Sequence, residues 1–119
     1  VAIFSERRKH PRVPYSNTLK VQKVSSSKIG NVFEVQADAL KGAAQDIGEG
    51  GFRVELPTNL KPGAILKLIF KVGARDAEMS EAYVRVVWSD KEEHGVQFLM
   101  LEDMTLRKIR VFISDISER

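Results

Sequence analysis

Apolar and polar residues alternate with a period of two along most of this chain, the mark of strands with one buried face. Leu19, Val21 and Val24 predict a first short strand starting at Thr18, closed by the polar turn Ser25-Ser26-Ser27-Lys28-Ile29-Gly30-Asn31. Residues 32–47 alternate again, with Val35, Ala37 and Ala39 on one side and Glu34, Gln36 and Asp38 on the other. Asp46-Ile47-Gly48-Glu49-Gly50-Gly51 follows, and three glycines in four residues predict a hairpin turn that uses positive φ. Phe52, Val54 and Leu56 mark a third strand, ended by a Pro57–Gly63 turn region. Leu66, Leu68, Phe70 and Val72 face one way along the most apolar strand, residues 64–72. Gly73-Ala74-Arg75-Asp76 predicts a hairpin, residues 77–88 a long strand ending at Trp88, and His94–Leu101 the last strand.

After Glu102 the period becomes helical. Leu106, Ile109, Phe112, Ile113 and Ile116 share one face at i, i+3, i+6, i+7 and i+10, with Asp103 as cap and first-turn charge. Six or seven antiparallel strands without crossover helices, followed by one amphipathic helix, predict an all-β fold. The expected architecture is a small β-barrel whose open end or edge is covered by the helix. The first fifteen residues stand apart. Pro11 and Pro14, dense charge and the lack of a periodic apolar pattern predict an extended arm over 1–15, with the barrel over 16–119.

Composition narrows the function classes. The chain has 119 residues, enough for one self-sufficient core, and no cysteine, which removes disulfide scaffolds, thiolate metal sites and cysteine nucleophiles. His10 and His94 are the two histidines; neither has a suggestive partner, and both are expected to be polar surface residues. No nucleophile elbow, metal-ligand spacing or phosphate-binding loop opening a helix is present, so no catalytic or metal-binding residues are assigned and no cofactor is expected. No apolar run approaches a membrane span, and a cytoplasmic module without membrane contact is expected. A chain that begins at Val1 is expected to be a domain of a longer protein.

Charge is unevenly placed. Residues 1–30 carry seven cations against one anion, whereas residues 31–119 carry twelve against fifteen. A basic arm on a mildly acidic body suits contact with an anion. In the arm, Arg8 and Arg12 are four apart with Arg7 beside them, and Pro11 excludes a regular helix across the pair. Guanidinium groups bind phosphate bidentately, stack on bases and donate in parallel to guanine O6 and N7. The glycine cluster leads into a strand, so it cradles no phosphate in the manner of a helix-opening loop; a flat ligand lying against glycine backbone beside Asp46 remains open.

Read in order, the Arg-Arg-x-x-x-Arg arm, the Asp-Ile-Gly-Glu-Gly-Gly turn entering Phe52-Arg53-Val54, then Val86-Val87-Trp88 and Gly95-Val96-Gln97-Phe98 resemble a PilZ domain, the bacterial receptor module for the second messenger cyclic di-GMP. The resemblance covers about residues 6 to 115. It implies a six-stranded antiparallel (split) barrel with a C-terminal helix, and an arginine arm that closes over the dinucleotide against the barrel and signals to a flanking domain or partner. Its two signatures are Arg-x-x-x-Arg and [Asp/Asn]-x-Ser-x-x-Gly. Arg8 and Arg12 match the first, with Arg7 as the preceding basic position; Asp46 and Gly51 match the ends of the second. Gly48 stands where the family has serine, which implies weakened binding. Asp46 is expected to accept from the guanine N1–H and N2–H2 edge, and Gly51 to let a ring approach the strand. Two other readings compete: a PilZ-fold interaction module that binds no nucleotide, which Gly48 favours, and a small nucleic-acid-binding barrel. The second is disfavoured because Phe33, Phe52, Phe70, Phe98 and Phe112 lie in core patterns, and Trp88 is expected to pack the barrel; no nucleic-acid polymer is expected as partner.

Overall fold

In the computed structural model, which describes residues 12–26, 33–72 and 78–117, six antiparallel strands and one helix follow each other along the chain. They are β1 (Arg12–Ser26), β2 (Phe33–Gly48), β3 (Gly51–Glu55), β4 (Ile65–Phe70), β5 (Ser80–Asp90), β6 (Glu93–Leu101) and α1 (Asp103–Ser117). The sheet closes in the order β1-β2-β3-β6-β5-β4, with β4 returning to pair with β1 through Lys20↔Ile69 to Val24↔Ile65. Closure gives each of the six described strands a partner on both sides over part of its length.

Alternation puts one side of every strand into the core. Leu19 and Val21, Phe52 and Val54, Leu66, Leu68 and Phe70, Ala82, Val84 and Val86, and Val96 and Phe98 are all buried. Phe52 is central, meeting Phe70 edge-on at 5.0 Å, Phe98 at 5.3 Å and Tyr15 at 5.7 Å between ring centroids. On α1, Leu106, Ile109 and Ile113 are buried, and Phe112 and Ile116 pack partly against the same core. The helix covers an end of the barrel beside β1 and β2, and Phe112 lies edge-on to Tyr15 at 5.6 Å.

Several expectations change. β1 begins at Arg12 rather than Thr18, because Val13 and Tyr15 continue the inward alternation of Leu19 and Val21 through the proline-containing segment. The described part of the arm is therefore strand. On β2 the inward side is taken by Leu40, Gly42 and Ala44, and Ala39 is exposed. The register against β1 slips between Gln22 and Val24, which breaks the simple alternation of the sequence. β5 runs later than expected, to Asp90, and the carbonyl of Glu102 accepts the first helical bond from Leu106 N–H at 3.0 Å. Asp103 is thus the first-turn acid and Glu102 occupies the cap position. The expected turns at 27–31 and 73–76 lie outside the described residues.

His94 departs most from its expected surface place. It is fully buried on β6. Its Nε2 accepts from Leu60 N–H at 2.9 Å, and its Nδ1 donates to the Glu92 carbonyl at 2.8 Å. That carbonyl also accepts from Leu56 N–H at 2.9 Å. The ring therefore ties the β3–β4 connection to the β5–β6 turn, where Lys91 takes φ 55° and its carbonyl accepts from Asn59 Nδ2 at 2.6 Å. The imidazole gives the Leu60 N–H its acceptor and the Glu92 carbonyl a second donor in a part-buried place.

Candidate functional site

The last arginine of the first motif meets the second motif where β1 begins and β2 ends. In the antiparallel register Arg12 lies opposite Gly48, Val13 opposite Ile47 and Pro14 opposite Asp46. The first motif's last arginine and the second motif's central position are thus cross-strand partners, although they are far apart in sequence. Arg7 and Arg8 lie outside the described residues, as does the side chain of Arg12, so the register places the backbone of one arginine of the three.

Asp46 owes its direction to a bulge. Ala44 pairs with Val54 and Asp46 with Arg53, leaving Gln45 as an extra residue on β2. Before the bulge the even positions Gly42 and Ala44 face the core; after it Ile47 does. The inserted residue inverts the parity, so that Ile47 fills the core and the carboxylate of Asp46 turns to the outside. Without it, alternation would carry Asp46 inward, where an ionised carboxylate costs several kcal/mol on the order of its desolvation. Gln45 itself donates from Nε2 to Glu55 at 3.3 Å, while its Oε1 is buried without a hydrogen-bond partner.

Across the hairpin, Arg53 brings its Nε within 3.1 Å of Asp46 Oδ2, with the two side chains 42% and 20% exposed. The Nε–H is not aligned for a hydrogen bond, so the contact is a charge pair. Sequence reasoning did not single out Arg53; its signal was the alternation itself, which puts it on the outer face between Phe52 and Val54. At Glu49, the bend between β2 and β3 is met by Arg110 of α1, whose Nε donates to Glu49 Oε1. Arg110 was also missed, since no local pattern links residues 61 apart. The described outer surface here therefore presents Asp46 and Glu49, each with a guanidinium against it.

The glycines serve a purpose different from the expected one. Gly48, Gly50 and Gly51 do not take positive φ; Gly63, at 97°, is the glycine that does among the described residues. Gly51 is required by the neighbouring strand. It pairs with Gln97 on β6, and a Cβ there would collide with the Val96 carbonyl oxygen and come within 2.9 Å of its carbon and 3.0 Å of Gln97 Cα. The adjacent Gly50 carbonyl accepts from Phe98 N–H at 2.8 Å. On its Cβ side Gly51 is covered by β6. A similar approach occurs at Gly95, where a Cβ would strike the indole of Trp88, which lies half-buried across it.

Among the described residues no group of histidine, aspartate and glutamate is arranged to hold a metal, and no helix is long and apolar enough to cross a membrane. The arrangement offers hydrogen-bond acceptors on an outward bend, guanidinium groups beside them and a strand bearing Arg12 alongside. That chemistry suits recognition of a ligand with both anionic and donor-rich parts.

Comparison with known proteins gives a consistent picture. The family model described as PilZ domain matches residues 6–115. No curated protein matches in sequence. Among solved structures, the chain is similar to the crystal structure of the PilZ domain of CeSA from a cellulose-synthesizing bacterium, with a TM-score of 0.60 and 12% identity over 90% of this chain and 98% of that one. At that identity the likeness concerns the fold, a barrel with a C-terminal helix.

Proposed function

The chain belongs to the PilZ domain family, a family of cyclic di-GMP receptors, and on that premise we propose that it binds cyclic di-GMP between the Arg7–Arg12 arm and the Asp46–Gly51 bend. One observation carries the reading: the β1–β2 register sets Arg12 opposite Gly48, which supports a site shared by the two motifs. Two phosphates call for cations, and guanine calls for parallel donors on one edge and an acceptor on the other. Arg7, Arg8 and Arg12 supply the first two, and the outward carboxylate of Asp46 the third. Closure of the arm over the dinucleotide against the barrel then signals to a flanking domain or partner. The module works as a receptor in the cytoplasm rather than as an enzyme.

Gly48 removes a side-chain hydrogen bond that the family's serine would donate. Loss of one such bond costs about 0.5–1.5 kcal/mol, or up to roughly tenfold in affinity, so binding is weakened and retained. The test is isothermal titration of cyclic di-GMP into nucleotide-free protein, beside the Arg8→Ala, Arg12→Ala double variant. Saturable binding that disappears in the variant supports the receptor reading. Absence of binding to folded, ligand-free wild-type protein refutes it and turns attention to an interaction module without nucleotide.

A further inference from the structure

Residue Glu49 has the wrong sign for its place. It lies on the bend between Asp46 and Gly51, and a carboxylate there repels any phosphate brought to the same patch. The fold answers it from 61 residues away, with Arg110 donating from Nε to Glu49 Oε1. The Glu49 side chain is 19% exposed and that of Arg110 60%, so the guanidinium stays open to an incoming anion while it neutralises the bend. The helix that delivers it rests on the two strands bearing the motifs. Phe112, two residues along α1, meets Tyr15, three residues past Arg12 on β1. Arg110 is thereby held at the bend, on the side of the barrel where β1 begins, by a helix anchored in the core through Ile109 and Ile113.

We propose that Arg110 is a further ligand-contacting arginine of this site, kept on Glu49 in the free protein and taken over by a phosphate of the bound dinucleotide. The inference rests on the receptor reading. It makes Glu49 a competitor of the ligand: both are anions, and both use the same planar donor group. Removing the competitor should therefore strengthen binding, and removing the arginine should weaken it. Because the pair is largely solvent-exposed on the arginine side, each effect should be modest, about three- to fivefold.

The opposite signs separate this role from a merely structural one. If the ion pair only fastens α1 to the bend, Glu49→Gln and Arg110→Gln break the same contact and must shift affinity in the same direction. The experiment is titration of cyclic di-GMP into the full chain as wild type, Glu49→Gln, Arg110→Gln and Arg110→Lys, each first shown by thermal melting to be folded. The expected result is tighter binding for Glu49→Gln, weaker for Arg110→Gln and an intermediate value for Arg110→Lys, which keeps the charge but not the fork. Unchanged affinity in Arg110→Gln, or weakening in both glutamine variants, overturns the proposal while leaving the receptor reading standing. No binding to the wild type overturns the receptor reading, and this inference with it.

Discussion

Replacing Gly51 with alanine tests whether that position serves the ligand or the barrel. A Cβ at 51 collides with the Val96 carbonyl oxygen and sits 2.9 Å from its carbon and 3.0 Å from Gln97 Cα, all of them backbone atoms that cannot rotate away. Ordinary carbon contacts need about 3.5–4.0 Å, so β3 and β6 must part locally by about an ångström or more. That opening strains the Phe98 N–H to Gly50 carbonyl bond, now 2.8 Å, and the Gly51↔Gln97 pair beside it. Losing about two backbone hydrogen bonds costs about 2 kcal/mol, and forcing an extra methyl into packed structure adds about 1–3 kcal/mol. The expected destabilisation is about 3–5 kcal/mol, a large share of the ~5–15 kcal/mol that holds a domain folded. At about 4 °C per kcal/mol for a chain of this size, Tm should fall by about 12–20 °C. Urea titration followed by circular dichroism gives the free energy, and a thermal scan gives Tm. Gly63→Ala is the control: its φ of 97° brings strain, yet nothing lies within 4 Å, so it should cost only about 1–2 kcal/mol. A Gly51→Ala protein within 1 kcal/mol of wild type, on the order of an ordinary surface change, would refute the close-approach argument. Lost ligand binding at undiminished stability would return the glycine to the ligand.

Three further outcomes follow from particular contacts. His94→Leu leaves the Leu60 N–H without its acceptor in a part-buried place and should destabilise by about 1–3 kcal/mol in urea; a value near zero would mean that water or a shifted backbone satisfies the group. Gly48→Ser restores a hydroxyl at a position whose φ is not in the left-handed region, and should tighten cyclic di-GMP binding by up to roughly tenfold in a calorimetric titration; equal affinity would show that the hydroxyl has no ligand partner here. Gly95→Ala should push the Trp88 indole off the sheet, moving the fluorescence of the single tryptophan toward the emission of a solvated indole; an unchanged spectrum would contradict the stacking of Trp88 over Gly95.

The contrast between Val54 and His94 shows how much could be read before the structure. Alternation around Phe52, Val54 and Leu56, along Leu66–Phe70, and the helical spacing from Leu106 to Ile116 located the strands, the helix and their buried faces, because burial on one side of an element imposes a local period. The same local information placed the motif residues Arg12, Asp46, Gly48 and Gly51 in order along the chain. It said nothing of what each would face. His94 reads as a polar residue at a turn until Leu60 and Glu92 arrive to bond both ring nitrogens. Gly51 reads as a turn glycine until Val96 of β6 lies against it, and Asp46 reads as inward or outward according to a bulge at Gln45 that shows only against β3. Arg110 is an unremarked helix cation until the fold sets it on Glu49. Periodicity and motif spacing are properties of neighbours along the chain, so the sequence determined the elements and the family. Close approach, register and charge pairing are properties of neighbours in space, and those only the closed barrel and its helix decided.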